Sequence, residues 1–143
     1  MAAIIPTGDE IRPLGSALGP GEVTDSNSLL LASRAGDTGA RPLVSDVQPD
    51  DPDVIAREIR RAALAADIVL VIAGSSAGRS DHTATVIART GGLAVRGVAV
   101  RPGHPVLLGY VQPEPSPRSR RTGTPMASSW PRRSGADPGR SAG

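Results

Sequence analysis

The sequence lacks cysteine, lysine and phenylalanine, and the shortages exclude several kinds of chemistry. Without cysteine the protein has no disulfides, thiolate metal ligands or cysteine nucleophile. Two histidines, His82 and His104, are too few for a histidine-built metal cage. Tyr110 and Trp130 are the only aromatic residues, so the core must consist of Ala, Val, Ile and Leu. The same shortage disfavours binding of single-stranded nucleic acid, which depends on stacking of bases on aromatic rings.

Long apolar segments are also absent. No run of about 18 apolar residues occurs, so we expect no segment that crosses a membrane. At the N-terminus no basic stretch precedes an apolar run, as it would in a signal peptide. We therefore predict a cytoplasmic protein, and the length of 143 residues fits one domain.

The composition changes at residue 111. Residues 1–111 hold ten arginines against twelve acidic residues, whereas residues 112–143 hold six arginines against two. Of these last 32 residues, 22 are Pro, Ser, Gly or Arg, which cannot bury enough apolar surface to fold. We predict a folded domain over residues 1–111 and a disordered tail over residues 112–143. For the basic tail two alternatives stay open, a nucleic-acid-binding segment and the out-of-frame translation of GC-rich DNA.

Apolar periodicity and turn residues predict alternating strands and helices in the first part. Strands are expected at residues 2–5, 42–47, 67–73, 93–100 and 106–111, and helices at residues 28–35, 53–65 and 83–89. Asp50-Asp51-Pro52 is a strong helix start. The β-branched run at residues 67–73 is typical of a central parallel strand buried on both faces. This order predicts a three-layer α/β/α domain with a mostly parallel central sheet.

Three loops are expected at the carboxyl ends of the strands, where open α/β sheets bind their ligands. They are residues 7–10, 74–81 and 101–104. Small residues in the second loop allow backbone N–H groups to approach a phosphate, and Arg101 offers a bidentate phosphate contact. Suitable Mg²⁺ ligands are the carboxylates of Asp9, Glu10, Asp50 and Asp81. The residues alone predict an α/β domain that binds a phosphorylated ligand.

Several of these residues have an equally good structural interpretation. Asp50 or Asp51 is expected to cap the helix that follows them. Asp25 and Asn27 are as consistent with helix caps as with ligands. Arg101 is as consistent with surface charge as with a phosphate contact.

Five motifs occur in an order and spacing that resemble the molybdopterin-binding domain of molybdopterin molybdenumtransferase, the molybdenum insertase. They are Pro6-Thr7-Gly8-Asp9-Glu10, Asp25-Ser26-Asn27, Asp50-Asp51-Pro52, Gly74-Ser75-Ser76-Ala77-Gly78 followed by Asp81, and Arg101-Pro102-Gly103-His104-Pro105. The resemblance covers residues 2 to about 111. Two sister families share the domain but have different glycine loops, and the Pro-Gly-x-Pro turn favours the insertase.

The resemblance implies insertion of molybdate into the dithiolene of adenylylated molybdopterin, with hydrolysis of the adenylate assisted by Mg²⁺. It implies catalytic roles for Glu10, Asp50, Asp81 and Arg101, of which the three acidic residues are also the implied metal ligands. The implied molybdopterin-binding residues are Thr7, Gly8, Asp9, Asp25, Asn27, Gly74, Ser75, Ser76, Gly78, Gly103 and His104. The implied partners are these small molecules and a second copy or other insertase domains.

Two departures from the family pattern affect these expectations. His104 stands where lysine is usual, and histidine is mostly neutral at pH 7. The family continues beyond the last strand, whereas a basic tail follows Val111 here. We therefore expect a truncated or frameshifted insertase domain that lacks full activity by itself. The alternatives are a non-catalytic molybdopterin-binding module and a nucleic-acid binder that uses the basic tail.

Overall fold

The computed structural model describes residues 1–72, 80–97 and 106–112. In these residues the chain forms β1 (Ala2–Pro6), β2 (Ile11–Arg12), β3 (Val23–Thr24), α1 (Asn27–Asp37), β4 (Pro42–Val44), α2 (Pro52–Ala63), β5 (Ile68–Ile72), α3 (Ser80–Thr90), β6 (Gly91–Arg96) and β7 (Leu107–Val111). Apart from Gln112, the tail predicted to be disordered lies outside the described residues. Among the described helices none is long and apolar enough to cross a membrane.

The central sheet consists of three parallel strands in the order β4-β1-β5. Ala3 of β1 pairs with Leu43 of β4 on one side and with Val69 of β5 on the other. All five residues of β1 are buried, with α1 packed against β1 and β4, and α2 against β1 and β5. The prediction of an α/β domain with a mostly parallel central sheet is thus confirmed.

One apolar core fills the space between the sheet and helices α2 and α3. Ala3 and Ile5 of β1, Ile59 of α2 and Val86 of α3 are each at most 3% exposed. Because β-strand side chains alternate between faces, Ile4 points to the opposite side of β1, where it too is fully buried. The core is entirely aliphatic in these positions, as the shortage of aromatic residues requires.

In the part of the chain that the structure describes, the β-branched run at residues 67–73 is not the central, doubly buried strand that its composition predicts. It forms β5 at the edge of the described sheet, and Ile68 is 57% exposed. β1 occupies the centre instead. A β-branched run indicates a strand, but long-range hydrogen bonds decide which strands become its neighbours.

The strand predicted at residues 42–47 ends at Val44. The chain nevertheless continues beside β1, since the N–H groups of Ser45 and Gln48 donate to the carbonyls of Ile4 and Pro6 at 2.9 and 2.8 Å. This extension carries the segment that follows β4 to the carboxyl end of β1.

Strands β6 and β7 form an antiparallel hairpin against which α3 packs. The ring of Tyr110 lies over its cross-strand partner Gly92, where an added Cβ would be 2.5 Å from the ring. At Gly109, an added Cβ would clash with Cγ2 of Ile87 in α3. Glycines at these two positions let an aromatic ring and a helix approach the strands closely.

Candidate functional site

Thr7 joins the carboxyl ends of the central strands. It is 2% exposed, and its hydroxyl and backbone N–H both donate to the carbonyl of Ile72, the last residue of β5, at 3.0 and 2.9 Å. On the other side, the N–H of Gly8 donates to the carbonyl of Gln48 at 3.0 Å. Thr7, for which the resemblance implied a binding role, therefore fixes the strand ends from which the site loops begin.

Asp9 and Asp50 are joined at this edge by reciprocal hydrogen bonds. The N–H of Asp9 donates to Asp50 Oδ2 at 3.4 Å, and the N–H of Asp50 donates to Asp9 Oδ1 at 3.2 Å. Each carboxylate thus satisfies a backbone donor of the other loop, across 41 positions of sequence. Two like charges are brought close together at the edge of the sheet where the sequence predicts a ligand.

Glu10 folds back over Gly8. A Cβ placed on Gly8 would lie 3.1 Å from Glu10 Oε2 and 2.6 Å from Ile11 Cγ1. Gly8 has a φ of +150°, a conformation that is essentially restricted to glycine. Glycine is therefore required at this position both for its backbone conformation and for the space that the side chain of Glu10 occupies.

Asp51 caps helix α2. Its carboxylate accepts hydrogen bonds from the N–H groups of Asp53 and Val54 at 2.8 and 3.1 Å, and Pro52 follows as the first helical residue. The prediction that Asp50 or Asp51 caps this helix is confirmed for Asp51. The two neighbouring carboxylates therefore have different contacts. Asp51 accepts hydrogen bonds from the start of α2, whereas Asp50 accepts one from Asp9 in the loop after β1.

Asp25 and Asn27 lie at the start of α1. The carboxylate of Asp25 accepts a hydrogen bond from the N–H of Ser28 at 3.0 Å and so supports the first turn of α1, while Ser26 occupies the N-cap position. Asn27 is the first residue of the helix and is exposed. The structure therefore gives Asp25 a structural contact and leaves the amide of Asn27 at the surface.

The remaining predicted site residues follow β5 in the chain. Asp81 lies in the first turn of α3. Outside the described residues lie Gly74, Ser75, Ser76, Gly78, Arg101, Gly103 and His104. The roles expected of these seven residues stay predictions.

Arg12, which belongs to none of the five sequence motifs, also lies at this edge. Its Nη1 donates to the carbonyls of Asp9 and Ile11, both at 2.9 Å, and its Nη2 forms an ion pair with Glu22 Oε1 at 2.6 Å. The N–H of Gly19 donates to Glu22 Oε2 at 2.8 Å. This hydrogen bond, followed by the contact with Arg12, lowers the pKa of the Glu22 carboxyl. A feature of the sequence that could have indicated this ion pair is the opposite charge of Arg12 and Glu22, which flank a segment rich in Gly and Pro.

The chemistry of this edge is compatible with a divalent cation bound together with a phosphorylated ligand. Within residues 1–72, 80–97 and 106–112, no three His, Cys, Asp or Glu side chains form a group that could hold a metal ion. Mg²⁺, however, usually keeps several waters and is held by one or two carboxylates together with substrate phosphates. The neighbouring carboxylates of Asp9 and Asp50 are a pair of this kind, so their donor chemistry fits Mg²⁺.

Comparison with known proteins gives a consistent result. The family described as "Probable molybdopterin binding domain" matches residues 3–119. A molybdopterin molybdenumtransferase from Nostoc sp. is 34% identical over 116 residues, which are 80% of this chain and 27% of that protein. Molybdopterin molybdenumtransferase 2 from Mycobacterium tuberculosis is 32% identical over 118 residues, 78% of this chain and 29% of that protein. The crystal structure of the molybdopterin biosynthesis MoeA protein from Pyrococcus horikosii matches with a TM-score of 0.69 at 32% identity, over 78% of this chain and 27% of that one.

The chain belongs to the molybdopterin-binding domain family. Within it, the chain is homologous to the MoeA proteins of molybdenum cofactor biosynthesis, the molybdopterin molybdenumtransferases. The resemblance carried by the five sequence motifs is thus confirmed. The chain spans little more than a quarter of the length of these relatives, so the activity of a whole relative comes to this chain only as a proposal.

Proposed function

We propose that this domain binds adenylylated molybdopterin at the carboxyl edge of its central sheet and takes part in the insertion of molybdate into the pterin dithiolene. One observation carries the proposal. Asp9 and Asp50 are joined by reciprocal hydrogen bonds, with Glu10 next to Asp9 in the chain, and this chain is a member of the molybdopterin-binding family. These acidic groups lie at the edge where open α/β sheets bind ligands.

The acidic residues are proposed to bind the metal ion of the reaction. Glu10, Asp50 and Asp81 would hold Mg²⁺, which supplies positive charge next to the phosphates of the adenylylated ligand. Asp9 keeps Asp50 in place through the reciprocal hydrogen bonds. In this arrangement the carboxylates would hold the ion beside the phosphates, where its charge would favour hydrolysis of the adenylate, the step that accompanies molybdate insertion.

The anionic parts of the substrates are proposed to contact residues of the other two loops. Backbone N–H groups of Gly74, Ser75, Ser76 and Gly78 would hold the pterin phosphate. Arg101 would bind phosphate or molybdate, both of them oxyanions that a guanidinium recognises with two parallel hydrogen bonds. His104 and Gly103 would complete this side of the pocket.

We also propose a cytoplasmic enzyme that acts in association with a second copy or with further insertase domains. The length of the relatives supports this part of the proposal, because the chain corresponds to 27% of the Nostoc protein. The isolated domain is expected to bind its ligand but to lack full turnover.

A binding titration with and without Mg²⁺ tests the proposal. Molybdopterin is titrated into the full chain and into two variants, Asp50→Asn and Asp46→Asn. Asp46 is an exposed acid in the segment between β4 and α2 and serves as the matched control. With Mg²⁺ present we expect Asp50→Asn to bind about tenfold more weakly, because a charge-assisted contact is lost. Without Mg²⁺ the same variant should bind as well as the native chain or better, because a carboxylate that repels phosphate is gone.

The outcomes separate three possibilities. Absence of saturable binding by a folded chain would contradict the proposal, as would equal effects of Asp50→Asn and Asp46→Asn. Release of AMP from the adenylylated ligand, on addition of molybdate, Mg²⁺ and the remaining domains of a full-length relative, identifies participation in turnover. Binding without such release would identify a non-catalytic module.

A further inference from the structure

The backbone around Glu10 is held on both sides by one guanidinium group. Nη1 of Arg12 donates hydrogen bonds to the carbonyl of Asp9, which precedes Glu10, and to that of Ile11, which follows it, each at 2.9 Å. The carbonyl of Glu10 itself accepts a hydrogen bond from the N–H of Val23 at 2.9 Å. Three consecutive carbonyls are thus fixed, and with them the orientation of the two acidic residues.

Arg12 is itself held from the opposite side. Its Nη2 contacts Glu22 Oε1 at 2.6 Å, and Glu22 is held in turn by the N–H of Gly19. The side chains of Arg12 and Glu22 are 38% and 24% exposed, so water competes only in part for these contacts. A guanidinium donates several hydrogen bonds in fixed directions, which a lysine ammonium cannot reproduce.

From this geometry we propose that Arg12 is a positioning residue of the site, with Glu22 as its support. Arg12 contacts the backbone of the acidic loop and sets the direction in which Glu10 and the bonded pair of Asp9 and Asp50 face the ligand. This inference rests on the proposed function, because it names a residue that orders the same site.

The competing interpretation is a purely structural ion pair that ties β2 to the segment before β3. Exchanging the two residues separates the interpretations. The double variant R12E/E22R keeps an opposite-charge pair across the same two positions. A glutamate at position 12, however, cannot donate to the carbonyls of Asp9 and Ile11. A structural pair is therefore restored by the exchange, whereas the positioning contact is not.

The test measures hydrogen exchange of individual backbone amides together with molybdopterin affinity in the presence of Mg²⁺. The variants are Arg12→Gln, R12E/E22R and the control Arg57→Gln, which removes an exposed arginine of α2. In the first two we expect exchange at the amides of Asp9 and Asp50 to be about tenfold faster, the effect of losing a hydrogen bond from a charged donor. Exchange in β1 should stay unchanged, and molybdopterin should bind about tenfold more weakly.

Native exchange rates at Asp9 and Asp50 in R12E/E22R, with native affinity, would overturn the proposal. Should Arg12→Gln be too unstable to measure, the exchanged pair still decides between the interpretations. The exchange measurement needs no ligand. A native chain that does not bind molybdopterin therefore contradicts the proposed function, while the exchange rates still decide whether Arg12 orders the acidic loop.

Discussion

Replacing Gly8 with alanine is expected to be among the most damaging glycine substitutions in the described part of the chain. Gly8 is buried, its φ is +150°, and an added Cβ would lie 2.6 Å from Ile11 Cγ1 and 3.1 Å from Glu10 Oε2. The first neighbour belongs to a half-buried side chain and cannot retreat freely. The second neighbour is the end of a flexible side chain. It can move away, but the carboxylate of Glu10 then leaves its position in the candidate site.

Two other glycines allow the contributions to be separated. Gly15 has a φ of +88° with nothing within 4 Å of its Cβ position, and Gly36 is helical with equally open space. Gly36→Ala should stabilise the fold by about 0.5 kcal/mol through helix propensity. Gly15→Ala should cost about 1 kcal/mol for its left-handed conformation. For Gly8→Ala, backbone strain of about 1–3 kcal/mol adds to overpacking of similar size, which gives a loss of about 2–6 kcal/mol.

Urea unfolding of the three variants measures these differences from the midpoints, provided that the slope with denaturant stays the same. A loss of about 2–6 kcal/mol is a large part of the unfolding free energy of a typical domain, which is about 5–15 kcal/mol. We also expect Gly8→Ala to weaken molybdopterin binding, since the carboxylate of Glu10 must shift. A Gly8→Ala midpoint equal to that of Gly15→Ala would refute the argument that crowding by Glu10 and Ile11 matters.

Three further predictions concern local contacts. Asp51→Ala should lower the unfolding free energy by about 1 kcal/mol because α2 loses its cap, and Asp51→Asn should lose much less; equal losses would contradict the capping role. Because the pKa of Glu22 is lowered by Gly19 and Arg12 in the folded protein, its ionised form contributes stability above its ordinary pKa of 4.5, which is lost as the pH falls through the folded value. Glu22→Gln should therefore be less stable than the native chain at pH 7, with a urea-midpoint difference that shrinks below pH 4.5, and a constant difference would count against the shift. Tyr110→Ala should destabilise the β6–β7 hairpin by about 1 kcal/mol whereas Tyr110→Phe should not, as thermal unfolding of the two variants would show.

The parts of the fold that the sequence predicts well depend on neighbouring residues. Asp51-Pro52 marks the start of α2 because capping is a contact between residues two and three positions apart. The apolar positions of α2 are spaced as a helix requires, so Ile59 faces the core as expected. Predictions of this kind need no knowledge of the rest of the chain.

The arrangement of the strands depends on distant residues and was harder to predict. The first strand has two alanines in five residues, yet it is central because β4 and β5 both pair with it. The more hydrophobic β5 lies at the edge of the described sheet. Strands β2 and β3 have two residues each, too few for any periodicity, and the sequence predicted neither of them.

The candidate site shows the same division. Parallel topology predicts that loops after the strands share one edge, and Asp9 and Asp50 do meet there. Their reciprocal bonds, however, join residues 41 positions apart, and the role of Arg12 depends on carbonyl directions that no composition or spacing encodes. The sequence therefore predicts acidic residues of the candidate site, and the structure adds the hydrogen-bond partners of their loops.

The mutual bonding of Asp9 and Asp50 also bears on why acidic residues cluster where an anionic ligand is proposed to bind. Each carboxylate accepts a hydrogen bond from a backbone N–H group of the other loop. The two negatively charged carboxylates nevertheless oppose binding of a phosphate next to them, because like charges repel. A cation bound between the carboxylates and the phosphate would reverse that repulsion. The same two residues would then make affinity for a phosphorylated ligand depend on Mg²⁺, which is why the Mg²⁺ dependence of binding is a more informative measurement than affinity alone.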